Sequence, residues 1–467
     1  MNLSRDILRL AVPSILANIT VPLVGMVDIA VAGHLGASGG LGAAALIGGI
    51  SIGTMLFDML YWNFGFLRAG TGGLAAQAYG RYHAGDKSAA GEISATLKRA
   101  LGIAFASGLV LVALQWVVVQ VAFLLVDCSP EVQNLATQYF YIRIWAAPAT
   151  LSLFAFKGWF IGMQDTVRPM ICDLLVNAVN IALSVGLAFG YAGLPALGFR
   201  GVAFGTFFAQ WAGFAYAAFA VWHKYGSFFR SSAADKNDPD CPQPDPRGWR
   251  AFFVLNRDLF LRSVCMIAVY IGFTMISARY GDMMLAVGTI LMKLLMIFSY
   301  FTDGFAYAGE ALTGRFIGEG SPEGVRSTIR GTFLWSLGVT GLFFLVYGVG
   351  GVPLLRLMTS DGSVVEAGRA FIPWLLLMPL IGCPAFTWDG IFTGATASRD
   401  LRNSTVWCVV GFFAVWFAGI GLLKAFHDPV PETWAIHLLM AAYFTHLFVR
   451  ALYLTLRWRK AIPFAVW

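Results

Sequence analysis

Twelve apolar runs, each long enough to cross a bilayer, leave this chain few choices of fold. A spanning helix needs roughly 20 mostly apolar residues, because its backbone polar groups must be satisfied inside the segment. The runs fall at about 10–33, 42–67, 100–126, 135–161, 169–192, 201–223, 259–280, 284–308, 331–357, 370–394, 404–425 and 433–456. Only 12% of the residues are charged and the mean hydropathy is +0.71. Soluble domains carry about 25% charged residues, so composition and periodicity agree on an all-α integral membrane protein.

The net charge of +7 could point to a nucleic-acid partner. Its distribution excludes one. With the N-terminus inside, most of the 32 Lys and Arg fall on inner segments, and the outer segments hold Arg143, Arg200, Arg279, Arg356, Arg369 and Lys424. The excess is therefore topological, with both termini cytoplasmic and the chain in the cell inner membrane. The first run is too long for a signal peptide and lacks a small-residue cleavage site. The six cysteines are scattered, with no CxxC and no His at metal-ligand spacing, and read as small core residues.

"RSSAADKNDPDCPQPDPRGWR", Arg230–Arg250, is the one polar, proline-rich linker. It sets an N-lobe at 1–228, a cytoplasmic linker at 229–255 and a C-lobe at 256–467, six spans on each side. The lobes echo each other. "FKGWFIGMQDT" (Phe156–Thr166) matches "WDGIFTGATAS" (Trp388–Ser398) at an offset of 232, and "AAQAYGRY" (Ala75–Tyr82) resembles "TGRFIGEG" (Thr313–Gly320) at 238. An even number of spans per repeat gives both lobes one orientation, related by a pseudo-twofold along the membrane normal with a cleft between them.

Charge inside a span costs near 2.5–3.5 kcal/mol at mid-helix, so each embedded ionisable residue needs a reason. The candidates are Asp28, Asp58, Lys157, Lys293, Asp303, Glu310 and Asp389. Asp28 is the sharpest, lying near the outer end of its helix with no Lys or Arg within helical reach. Desolvation favours the neutral form of an unpaired acid, which makes Asp28 a candidate proton carrier; a permanently protonated hydrogen-bonder is the alternative. On the fifth run Asn177, Asn180 and Ser184 share one helical face. Interhelical glue and a functional site fit that spacing equally. Lys157 and Asp389 occupy matched repeat positions and suggest a gate that closes when they pair; snorkelling to headgroups is the alternative. For Lys293 with Asp303 and Glu310, and for Arg68 with Asp58, structural pairing ranks above function.

"VPLVGMVDIAVAGHLG" resembles the first-helix signature of the multidrug and toxic compound extrusion (MATE) transporters. "WNFGFLRAGTGGLAAQAYG", "KGWFIGMQDTVRPM", "FTDGFAYAGEALTGRFIGEG" and "WDGIFTGATASRDLRNS" are similar to the DinF branch, in order, across nearly the whole chain. The resemblance implies a V-shaped MATE/MOP-type fold of two six-helix bundles that exports organic, often cationic, compounds in exchange for protons or sodium. It implies that Asp28 couples to the cation and that Asn180 sits beside it. Some members carry a second acid four residues on; here that position is Ser184, which favours a single proton-titrating Asp28 with Asn180, Ser184 and Thr206 as partners. The seventh helix has no deep carboxylate, which argues against a C-lobe cation site of the NorM type.

The expected mechanism is alternating access, with bending at Pro13, Pro22 and Gly25. Met55, Met59, Tyr61, Met292 and Met296 are candidate cavity liners, since adaptable Met and aromatic surfaces suit varied ligands. Small organic molecules and membrane lipids are the expected partners of a monomer, with no cofactor beyond the coupling ion. A lipid-linked oligosaccharide flippase is the rival within the superfamily, kept open by Lys157, Lys293 and Arg68. An enzyme is disfavoured, because the chain has no HExxH, GxSxG or clustered His.

Overall fold

The computed structural model describes residues 3–38, 42–126, 128–234, 247–359, 361–426 and 430–463. Among them the chain is helical, without strands, and twelve segments are long and apolar enough to span a membrane. The helices are α1 (Leu3–Ser38), α2 (Ala43–Trp62), α3 (Gly65–His83), α4 (Ala89–Ala113), α5 (Gln115–Leu125), α6 (Pro130–Arg143), α7 (Ala147–Gly162), α8 (Val167–Phe189) and α9 (Phe199–Ala234). After the linker come α10 (Arg247–Ala278), α11 (Asp282–Gly318), α12 (Pro322–Met358), α13 (Gly362–Arg369), α14 (Ile372–Gly394), α15 (Ser398–Phe426) and α16 (Glu432–Ala461). The spans at Ala43–His83 and Pro130–Gly162 are each built from two helices in series, the second joined by a 3-10 turn at Ile144–Ala146. Residues 235–246 of the linker, with Cys241, lie outside the described residues.

Two compact units form, Leu16–Asp245 (the N-unit) and Met1–Ile15 with Pro246–Trp467 (the C-unit). The division falls within α1, whereas the linker alone marks it in the sequence. Small residues of the C-unit explain the difference: a Cβ on Gly304 would meet Ile15 Cγ1 at 2.4 Å, and one on Gly331 would meet Ile7 Cδ1 at 2.7 Å. The start of α1 thus fills grooves over α11 and α12.

Inside lipid there is little hydrophobic drive to associate helices, so close approach and van der Waals contact must do it. The repeated glycines supply that approach. A Cβ on Gly158 would stand 2.1 Å from Arg68 O, and one on Gly390 would stand 2.0 Å from Ala306 O. One turn on, Gly162 meets Gly72 O at 2.6 Å and Gly394 meets Glu310 O at 2.2 Å. The paired positions differ by 232 (390 − 158, 394 − 162) and their targets by 238 (306 − 68, 310 − 72), the two offsets of the sequence repeat. Both motifs also end the same way, with a left-handed residue two places after the second glycine: Gln164 at φ 58 and Thr396 at φ 54. The repeat is therefore one packing device used twice, α7 on α3 and α14 on α11.

Charges tie the ends of these helices together. Past α7, Asp165 accepts from Lys224 Nζ and Tyr225 Oη of α9, each at 2.8 Å, and pairs with Arg168. In the C-unit Asp400 accepts from Arg457 Nε at 2.9 Å, joining α15 to α16. Burial works against an ionised Asp165, but the donors from Lys224 and Tyr225, with Arg168, outweigh it and hold the carboxyl below its usual range.

Two outcomes follow. Gly158→Ala and Gly390→Ala should each cost at least about 1–3 kcal/mol in thermal unfolding, since the new methyl meets rigid backbone. Gly421→Ala, with nothing within 4 Å of its Cβ position, should not lower the melting temperature. Because the Asp165 pKa is lowered on folding, its stabilisation is complete above the unfolded value of about 3.9 and is lost as pH falls through the lower folded one. Asp165→Asn should be less stable at neutral pH and show a shallower acid-side loss of melting temperature than the parent.

Candidate functional site

Close packing of α8 on α9 builds the polar site of the N-unit. A Cβ on Gly201 would lie 2.5 Å from the Leu187 carbonyl carbon, and one on Gly205 would lie 2.4 Å from Ser184 Oγ. The missing side chains let Thr206 approach Asn180, whose Nδ2 donates to Thr206 Oγ1 at 2.9 Å. Thr206 Oγ1 and Ser184 Oγ also reach Val202 O, at 3.3 and 3.4 Å. Asn180, Ser184 and Thr206 are all buried, and Asn180 Oδ1 makes no hydrogen bond. Asn177, one turn earlier, donates to Thr20 O of α1 at 3.3 Å and so fastens α8 to the first helix.

Asp28 faces this cluster from α1. It is 4% exposed, while Met26 and Ile29 beside it are 65% and 42% exposed, so the acid is on the covered face of its helix. Its Oδ1 makes no hydrogen bond, and Ser184 is the polar side chain that acts on the carboxyl. The other influence is Arg143, a cation that the sequence reading assigned to an outer segment. Arg143 closes α6 within the Pro130–Gly162 helical segment. Its guanidinium lies 4.6 Å from the Phe57 ring centroid and donates to Tyr139 Oη at 3.1 Å. A half-buried arginine capped by two rings is held by cation–π attraction and one hydrogen bond. Asp28, Asp58 and Tyr61 all act on its charge. Counting cations by segment cannot find such a residue; the aromatic run "QYFYIR" around it is the local signal.

The second constellation lies in the C-unit. Asp389 of α14 takes Arg450 Nε of α16 on Oδ1 at 3.1 Å, Arg262 Nη2 of α10 on Oδ2 at 2.5 Å, and a further ion pair from Arg450. Arg450 is 1% exposed, lies 5.3 Å from the Phe386 ring and feels Asp303 of α11. A chain of alternating charge thus links α11, α16, α14 and α10. Lys157 is also satisfied locally, by Asp173 of α8 at 2.5 Å. Lys157 and Asp389, the expected gate pair, are each engaged inside their own unit. A charge in lipid takes its counter-ion from the helix packed against it, and repeat position says nothing about that neighbour. Asp258, buried at 0% exposure and held by Arg402 at 2.8 Å and Ser398 at 3.2 Å, is a further paired acid that the sequence did not single out.

The remaining candidates scatter. Met55 and Met59 are exposed on α2, whereas Tyr61 is buried in the aromatic core of the N-unit with Phe57 and Phe140. Met292 belongs to the C-unit core and is packing there; Met296 and Asp303 are half-buried, and Lys293 is exposed. Glu310 is buried at 1% exposure where α11 meets α14.

Known proteins resemble this chain along its length. The MatE family model matches residues 13–185 and 259–415. DNA damage-inducible protein F of Escherichia coli (strain K12) is 32% identical over 408 residues, covering 86% of this chain and 83% of that one. The probable multidrug resistance protein NorM of Thermotoga maritima is 22% identical over 416 residues, covering 89% and 83%. Among solved structures, a MATE protein in the bent conformation superposes with a TM-score of 0.81 at 15% identity, covering 99% of this chain and 96% of that one. One in the straight conformation gives 0.72 at 17%, covering 98% and 96%. The shared fold is the two-bundle, twelve-span architecture.

Gly205→Ala tests the helix contact that assembles the N-unit site. It should cost about 1–3 kcal/mol in thermal unfolding by overpacking. Adding Ser184→Ala should recover part of the loss, because the struck hydroxyl is gone while the Ser184 backbone remains.

Proposed function

The chain belongs to the MatE family of multi-pass membrane transporters, and from that premise we propose that it is a secondary antiporter coupled through Asp28. It exports organic, often cationic, compounds in exchange for protons. It works by alternating access in the inner membrane, as a monomer surrounded by lipid with both termini cytoplasmic. The multidrug resistance named for the NorM relatives supports the substrate class.

The observation that carries the reading is the burial of Asp28, with Ser184 as its hydrogen-bonding side chain, on a helix that contains Pro13 and Pro22. Each proline lacks the N–H that would bond the carbonyl four residues back, so α1 is weakest on the stretch leading to the acid. Protonation would remove the charge that faces Arg143 and exchange an acceptor for a donor beside Ser184 and Asn180. A substrate bound by one form and released by the other then transmits the proton gradient, with a coupling energy equal to its differential affinity for the two states. A MATE protein of the same fold has been solved in bent and straight conformations, which supports a transporter with two states.

Arg143 also bears on the choice of ion. A sodium ion on Asp28 would bring its own positive charge toward the guanidinium. A proton neutralises the carboxylate without leaving a cation there. With Ser184 in place of a second acid on α8, Asp28 has no carboxylate at that position to share a metal ion with, which suits a proton better.

The test is efflux of a cationic dye from vesicles under an imposed pH or sodium gradient. The parent should respond to the pH gradient, and Asp28→Asn should lose that response. Normal, pH-driven efflux by Asp28→Asn overturns the coupling assignment.

A further inference from the structure

The first turns of α10 have two unlike faces. Phe252, Leu255, Asn256, Asp258 and Leu259 turn inward, all 7% exposed or less. Trp249, Arg250, Phe253, Arg257, Phe260 and Leu261 are exposed, and helical periodicity puts them on one side. The Trp249 and Phe253 rings stack, with centroids 5.8 Å apart. The apolar segment long enough to span begins at Phe252, so Trp249 and Arg250 stand just before it and Arg257 lies in its second turn. Aromatic rings at the end of a span mark the boundary between lipid and water. Farther in, Phe260 and Leu261 continue the same exposed face with apolar surface, which lipid covers at no cost and water does not.

Two arginines on such a face need a reason. Arg257 Nη2 reaches Asp258 Oδ1 at 3.4 Å, a long contact that leaves its side chain 63% exposed and most of its donors turned to the surroundings. Asp258 is already held by Arg402 Nη1 of α15 at 2.8 Å and by the Ser398 hydroxyl at 3.2 Å. One buried carboxylate thus answers two guanidiniums, and Arg250 adds a further cation two turns before Arg257. The nearby acid of α15, Asp400, is taken by Arg457 of α16. The α10–α15 junction is left with positive charge beside an apolar, aromatic face.

At the end of a span the anion within reach is a lipid phosphate, which a guanidinium binds through paired, charge-assisted hydrogen bonds. Headgroups of net negative charge are drawn to basic sites that flank a span. A zwitterionic lipid brings its own cation beside the phosphate and leaves the excess charge unanswered. From charge and position together we propose that the α10–α15 junction of the C-unit binds an anionic phospholipid, with its phosphate on Arg250 and Arg257 and its acyl chains along Phe253, Phe260 and Leu261. The phosphate supplies the second anion that Arg257 and Arg402 lack between them, and so braces α10 against α15. The site is remote in sequence from Asp28 and stands independently of the coupling assignment.

Native mass spectrometry of the full-length protein, delipidated in neutral detergent and titrated with phosphatidylglycerol or phosphatidylcholine, tests this. The parent should retain phosphatidylglycerol several-fold better than phosphatidylcholine, and phosphatidylglycerol should raise its melting temperature. Arg250→Gln with Arg257→Gln should lose both the preference and the temperature shift. Arg250→Gln alone keeps every contact of Asp258, so it serves even if the double variant folds poorly, and it should already retain less phosphatidylglycerol. Inorganic phosphate at the same concentration should not raise the melting temperature. Equal retention of the two lipids by the parent, retention by Arg250→Gln equal to the parent's, or an equal temperature shift from inorganic phosphate overturns the proposal.

Discussion

Two glycine pairs, Gly158 with Gly162 and Gly390 with Gly394, set how near neighbouring helices can come, and the rest of each unit is arranged around that distance. Their Cβ positions fall within 2.0–2.6 Å of carbonyl oxygens on α3 and α11. No side chain fits there. With backbones this close, dispersion does the work that water does in soluble cores, and polar side chains at the seam must find partners on the adjoining helix. The same logic recurs where Gly201 and Gly205 bring α9 onto α8, and there it produces the Asn180–Thr206 hydrogen bond.

Close packing also explains the distribution of charge. Asp165, Asp258, Asp389 and Asp400 each take cations from helices or turns packed against them. These acids are spent on holding helices together. Asp28 differs: its neighbours on α8 and α9 are neutral, and the cation that acts on it, Arg143, is also held by Phe57 and Tyr139. A carboxyl that is buried without being saturated can change its protonation state without dismantling the unit. That distinction between saturated and unsaturated acids separates the functional candidate from the structural ones.

Much of this was legible in the sequence because it depends on spacing along the chain. Span length, the polar linker and the glycine offsets of 232 and 238 are one-dimensional signals, and they became the twelve spans and the duplicated helix contact. Asn180 and Ser184 were legible because helical periodicity puts them on one face. Partners across helices were not. Lys157 and Asp389 matched by repeat position, yet each is neutralised by a residue that only the fold brings near. Arg143 as a neighbour of Asp28 was not legible either, because counting cations by segment treats them as loop residues, while here the guanidinium is held against aromatic rings. The start of α1 joined the C-unit for a similar reason: Ile7 and Ile15 fit over Gly331 and Gly304, a complementarity invisible in composition.

The central claim is that substrate and proton compete through Asp28. It is tested most directly by adding a cationic dye to the purified protein in weakly buffered detergent solution and following the pH. The account predicts that dye binding releases protons from the parent and that Asp28→Asn binds dye without proton release. Equal proton release by Asp28→Asn would contradict it.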